Sequence, residues 1–239
     1  MSRAAEISID EPLLDAVQRI ARGDEHPEPL PRHRHHLPRA QVETTQKARI
    51  VLATAEVVTE KSYTKTTSRD IIKAAGVSSK TFYAHFDGKE QAFLAAYTLL
   101  DSTMLALARA PLDMARPRTD LREHVEAWLS ALAAWPLLAR MRFIEGRAAG
   151  VQADRHRHEM AKSVVAAFGA GLDEARTHDP RIVRPSDGVL ALLYGGITDQ
   201  LTRWVTERDP AELVQLAPAI VEAIERLCFL EPPAYADGE

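Results

Sequence analysis

One cysteine in 239 residues, Cys228, leaves no internal disulfide framework to staple a fold. Set between Leu227 and Phe229, its thiol reads as a small core residue rather than a nucleophile. Long apolar runs are also missing. Nothing approaches the roughly 18 to 20 residues that a membrane span needs, and the chain opens on acidic residues instead of a basic start followed by an apolar core. A cytoplasmic protein with no membrane partner is expected. No strand-like alternation of useful length and no internal repeat interrupt the helical periodicity, so the class expected is all-α. Catalytic signatures are absent too: there is no glycine-rich phosphate loop, no Glu-x-x-His pair and no G-x-S-x-G elbow. Neither an enzyme nor a cofactor is expected. His156 and His158 are two apart and so point to different helix faces, while His33, His35 and His36 have no carboxylate or cysteine nearby. No metal site is expected.

What the chain does have is helical text with an uneven charge. Residues 44–90 hold eight Lys and Arg against five Asp and Glu, whereas 1–43 hold six against eight and 91–239 hold sixteen against twenty-one. Only the middle block is net basic, which fits a polyanionic partner or a solvated surface. Residues 1–42 read as an extension and linker. Within it Leu13, Leu14, Val17, Ile20 and Ala21 recur at helical spacing over 11–22, with Asp10 as cap and Gly23 as stop. The text DEHPEPLPRHRHHLPR then places four prolines in an exposed linker, whose Arg32 to His36 segment suits a solvated loop or an arm along a phosphate backbone. A folded body is expected from near Val42, its first helix capped by Thr44 or Thr45 and facing inward with Ile50, Ala53, Val57 and Val58. Long helices are expected over 88–110, 120–134, 137–147, 151–177, 187–207 and 211–230, with a flexible tail at 232–239.

Between the first helix and the next long one the spacing changes. Thr67, Ser68, Arg69 and Asp70 form a capping-box pattern, and the helix it starts can run only two turns before Gly76 stops it. Ser78 caps a second short helix over Ser79 to His85. Two short helices joined by a glycine turn make a helix-turn-helix, whose second helix lies in the DNA major groove. Phe82, Phe86, Ile71 and Val77 are then the core of a unit too small to bury apolar area in another way.

Tyr63, Thr66, Thr67, Asp70, Ile71, Ala75, Gly76, Val77, Ser78, Thr81, Tyr83, His85, Phe86, Lys89 and Glu90 together resemble the DNA-binding domain of the tetracycline-repressor (TetR) family. Two departures stand out: Ser62 occupies a position where that family usually has Gly, and Ser79 and Lys80 stand where smaller residues often precede the Thr. The resemblance implies a three-helix DNA-binding domain at 43–90 and a helical-bundle effector-binding and dimerisation domain at 91–231. It further implies a double-stranded, palindromic DNA operator, a small-molecule effector and a homodimeric repressor. Thr67, Thr81, Tyr83, His85 and Lys89 are the implied phosphate contacts, Ser78 is counted with the DNA-binding residues, and Ser79 and Lys80 are left for base edges. For Tyr83 and His85 an interhelix hydrogen bond is the competing expectation.

In the second domain the apolar stripes exceed what one helix pair can cover. Leu193, Ile197, Leu201, Trp204, Leu216, Ile220 and Ile224 are expected at a four-helix interface with a second copy, against the alternative of a purely intramolecular bundle. Met104, Trp128, Trp135, Met141, Phe143, Met160, Phe168 and Tyr194 are candidates for an effector pocket, although such stripes also serve as plain core. His124, Glu145, Arg147 or Gln152 would supply its polar handle.

Overall fold

The computed structural model describes residues 38–110 and 117–229 together with 12, 13, 16 and 17, the side chains of 103 and 107 excepted. Pro12, Leu13, Ala16 and Val17 are helical, as the spacing over 11–22 suggests; the rest of that helix, the 24–37 linker with its Arg32–His36 segment and the 232–239 tail lie outside the described residues. The described chain is all-α. Its helices are α1 (Arg39–Lys61), α2 (Ser68–Ala75), α3 (Ser79–His85), α4 (Lys89–Arg109), α5 (Pro117–Ala133), α6 (Pro136–Phe143), α7 (Val151–His178), α8 (Asp187–Glu207) and α9 (Ala217–Cys228). Short 3-10 turns cover Glu145–Arg147 and Pro210–Leu216. Extended pairing among the described residues amounts to one isolated antiparallel bridge, Ile182 with Phe229.

Two compact units emerge, Met1–Leu100 with Arg140–Ala153, and Asp101–Ala139 with Asp154–Glu239. Helices α4, α6 and α7 contribute residues to both.

Local chemistry explains the boundaries that differ from expectation. Helix α1 begins at Arg39, with Pro38 at its N-cap in an extended conformation (φ −55°, ψ 139°) and no side-chain cap. A proline there presets the entering backbone, and Arg39 Nε donates to Glu43 Oε1 across one turn at 2.8 Å, so Thr44 and Thr45 fall inside the helix instead of capping it. The expected 211–230 helix is split because Pro218 cannot donate to the carbonyl four residues back; a 3-10 turn ends at Leu216 and α9 starts at Ala217. The expected 137–147 helix likewise ends at Phe143, followed by the 3-10 turn at Glu145.

In the first unit Ile50, Val51, Val58, Ile71, Phe82 and Phe93 are 0–1% exposed. Tyr63 packs edge-on to Phe93 at 4.9 Å, and Phe93 meets Tyr97 at 5.6 Å. Arg142 lies over the Tyr97 ring at 4.4 Å, a cation–π contact that brings the 140–153 segment to this cluster. Cys228 is fully buried in the second unit, and burial pushes its thiol pKa up to about 12, which makes it a core residue.

Candidate nucleic-acid interface and effector cavity

The helix-turn-helix is held by polar side chains that each satisfy a backbone group. Thr67 accepts at Oγ1 from the Asp70 N–H at 3.3 Å, while the Asp70 carboxylate accepts from the Thr67 N–H at 3.0 Å, completing the capping box. Lys61 donates to the same carboxylate at 2.7 Å, and this bond together with those from Thr67 holds Asp70 well below the usual carboxylate range. Gly76 ends α2 in the left-handed region (φ 61°, ψ 35°), its N–H pointing at the Ile72 and Lys73 carbonyls. A Cβ there would stand 2.9 Å from Arg49 Nη2, because the buried Arg49 guanidinium donates to the Ala75 carbonyl at 2.7 Å. One arginine of α1 therefore caps the end of α2 and fixes the turn. Ser78 accepts from the Thr81 N–H at 3.0 Å and starts α3.

The Ser62 position carries the backbone that glycine would relieve. Ser62 has φ 71° and ψ 153°, the one non-glycine residue with positive φ among those described. Its carbonyl accepts from the Thr66 hydroxyl at 2.8 Å, and the next N–H, that of Tyr63, donates to Glu145 Oε2 at 2.8 Å.

On α3 the buried side is Phe82, followed by Phe86 at the C-cap, and the outward side is Ser79, Lys80, Tyr83 and Ala84. Tyr83 is 56% exposed although it is a large aromatic, with its ring edge-on to Phe82 at 5.2 Å. The other expected DNA contacts have internal partners as well. Thr67 is exposed but serves the capping box, and the Thr81 hydroxyl shares a 2.9 Å hydrogen bond with Ser78. His85 Nε2 meets Gln46 Oε1 at 3.0 Å, the interhelix bond named above as the competing expectation. Burial first, then the nearby Lys47 charge, lower its pKa below the ordinary histidine value. Lys89 donates to the carbonyls of Tyr63 at 3.0 Å and Thr66 at 2.8 Å and lies 4.5 Å over the Tyr63 ring. It clamps the turn after α1 and retains one N–H.

Sequence reasoning passed over Gln46, Lys47, Lys65, Arg69 and Lys73. The last four are exposed cations of this unit, and the charge excess over 44–90 was the signal for them.

The second unit holds a cavity of about 230 Å³ walled by α5, α7, α8, α9 and the end of α4. Met104, Trp128, Phe168 and Tyr194 line it, as does His124. Trp135, Met141, Phe143 and Met160 are not among its walls; Met141 and Phe143 are buried in the first unit, and of the other polar candidates Glu145 binds Tyr63 there while Arg147 and Gln152 are exposed. Leu193, Ile197, Ile220 and Ile224, expected between copies, turn into this cavity, and Leu201 and Leu216 are buried within the single chain. The physical reason is the width of the stripe: α8 is apolar over more than one face, and the cavity takes the inner one. Trp204 is half-buried, its Nε1 donating to the Asp209 carbonyl at 3.3 Å and its ring covered by Arg208 at 4.3 Å. Facing outward instead are Leu192, 77% exposed, and Gly195 and Gly196, where an added Cβ would meet nothing within 4 Å.

Among the described residues no helix is long and apolar enough to cross a membrane, and no group of three His, Cys, Asp or Glu could hold a metal ion. His156 and His158 have separate partners, Asp101 Oδ2 at 2.9 Å and the Asp154 carbonyl at 2.7 Å.

Residues 50–96 match the family model of bacterial regulatory proteins, tetR family. No curated protein matches the chain by sequence. Among solved structures, the fatty acid degradation regulator FadR of Bacillus halodurans is similar at 21% identity over 74% of this chain and 94% of its own, with a TM-score of 0.59. FadR of Bacillus subtilis, solved in complex with stearoyl-CoA, gives 22% identity over 74% and 96%, at 0.55. Salmonella enterica GusR gives 18% identity over 81% and 98%, at 0.60.

Proposed function

We infer that this chain, whose DNA-binding domain belongs to the tetR family, is a cytoplasmic homodimeric repressor that releases a palindromic operator when a small, apolar molecule occupies its cavity. It binds DNA without catalysing a reaction. One observation carries the DNA reading: a doubly capped helix-turn-helix presents Ser79, Lys80 and Tyr83 outward on its second helix, in the only net-basic block of the chain. Lys80 reaches base edges, a guanine O6 or N7 being its natural partner, while Tyr83 and the exposed cations hold phosphates. Thr67, Ser78, Thr81, His85 and Lys89 border the same duplex, and their caps and clamps fix how α3 is presented.

Dimerisation is assigned to the outward strip of α8, α9 and the 3-10 turn between them, where Leu192, Leu227 and Val214 stay 77%, 37% and 39% exposed and the paired glycines permit close approach. Two copies place two recognition helices on successive major grooves, roughly 34 Å apart. The cavity supports an effector, and the stearoyl-CoA held by Bacillus subtilis FadR supports an apolar component in it. Release follows if the effector binds more tightly to a conformer whose heads are spaced wrongly for DNA.

The test starts from duplexes selected by the protein from a random pool, with binding followed by fluorescence anisotropy over a salt series. Lys80→Ala is expected to weaken the selected site about tenfold or more and to flatten base preference, while Tyr83→Phe weakens all duplexes alike. Unchanged affinity in both variants overturns the assignment of this face.

A further inference from the structure

The cavity wall carries a donor that the chain leaves unused. Trp128, 7% exposed and lining the cavity, has an indole Nε1–H that is shielded from solvent and has no acceptor among the described residues. Buried donors are nearly always paired, and leaving one unpaired is costly enough that a partner is expected. One turn earlier on the same face of α5 is His124, also on the wall; its buried Nδ1 lies 3.3 Å from Asp120 Oδ2 without making a hydrogen bond to it. Most of the other wall residues are apolar, Leu121, Val125, Phe168, Leu190 and Ile197 among them. The cavity thus combines a mostly apolar body with two buried polar atoms of α5 that have no hydrogen-bond partner among the described residues, His124 Nδ1 and Trp128 Nε1, of which the indole can only donate.

Resting on the reading of this cavity as the effector site, we infer that the effector is an uncharged, largely apolar molecule that sets one acceptor oxygen, such as a carbonyl, against Trp128 Nε1. An anion fits poorly. It would lie near the Asp120 carboxylate beside His124, and the arginine of the wall, Arg109, is exposed and stands with the exposed Glu174 where the wall meets solvent. A buried charge without its own counter-charge is far costlier than a buried carbonyl that accepts one hydrogen bond. A cavity of about 150 Å³ is enough to bind benzene, so 230 Å³ has room for at least a molecule of about nine heavy atoms.

Three probes of about that size separate the terms: acetophenone has a neutral acceptor, cumene has none, and benzoate is an anion. Titration calorimetry on the full chain is expected to rank acetophenone first, about tenfold or more tighter than cumene, with benzoate weakest. Trp128→Phe should remove the preference for acetophenone while leaving cumene binding in place. Equal binding of cumene and acetophenone, a preference that survives Trp128→Phe, or tightest binding of benzoate overturns the inference but leaves the cavity a ligand site. Binding of none of the three overturns the effector reading itself along with it. The wild-type ranking does not depend on how well the variant folds, and the indole proton resonance of Trp128, assigned by its loss in Trp128→Phe, gives a second readout. It should move with acetophenone and stay with cumene.

Discussion

The two units solve opposite problems. Around the helix-turn-helix, polar side chains hold named backbone groups: Thr67 and Asp70 at the start of α2, Arg49 at its end, Ser78 at the start of α3 and Lys89 on the turn after α1. Around the cavity the walls are mostly apolar, and Trp128 Nε1 has no acceptor among the described residues. Rigid presentation of a short helix requires the first arrangement; room for a guest requires the second. Truncation should expose the contrast. Phe82, fully buried, has every neighbour in place, so Phe82→Ala is expected to cost about 3–5 kcal/mol and to abolish operator binding. Ile197 already borders open volume, and Ile197→Ala should cost about 1 kcal/mol or less while enlarging the cavity. Urea denaturation followed by circular dichroism measures both, and equal losses would break the distinction.

The same difference decides what could be read from the sequence. Capping boxes, a glycine stop and a serine cap each need particular residue types at fixed spacing, so Thr67, Asp70, Gly76 and Ser78 declare α2 and α3 by spacing alone. Apolar stripes declare a helix without saying what it packs against. Leu193, Ile197, Ile220 and Ile224 satisfied the pattern for an interface between copies, yet they face the cavity, and the small residues Gly195 and Gly196 point outward. Long-range polar contacts were equally silent. Nothing in the spacing links Arg49 to Ala75, Gln46 to His85 or Tyr63 to Glu145, because each depends on how separate segments come together.

A smaller effect sharpens the account of the first unit from the opposite direction. Its caps over-determine the turn after α1, and that is how Ser62 is kept at φ 71°, ψ 153°, a region costing of order 1–3 kcal/mol for a residue with a Cβ. Ser62→Gly removes this strain but gives the unfolded chain more freedom, worth about 0.5–1 kcal/mol in the other direction. A net gain of about 1 kcal/mol is expected, seen as a rise of about 2–4 °C in Tm. A fall would mean that the Ser62 hydroxyl, 3.2 Å from Thr64 Oγ1, contributes more than the strain removes.

The smallest effect tests whether burial at the edge of the interface matters. His85 is half-buried against Gln46, and its pKa lies below the ordinary 6.5 because burial, followed by the Lys47 charge, disfavours the imidazolium; Glu43 opposes this. In the unfolded chain the ring takes up its proton at the ordinary value, so the unfolded state binds more protons between that value and the lowered one. Stability from a neutral His85 is therefore complete above about pH 6.5 and is lost as pH falls through the lowered pKa. His85→Gln keeps a polar group near Gln46 without titrating, so subtracting its stability from that of the wild type cancels the other titrating groups. The difference measured by urea denaturation is expected to move against the wild type between pH 7.5 and pH 5.5. A difference that stays flat across that range would place His85 in water in solution, free of Gln46 and available as an imidazolium for a phosphate; a shifting one keeps it as the neutral brace between α1 and α3.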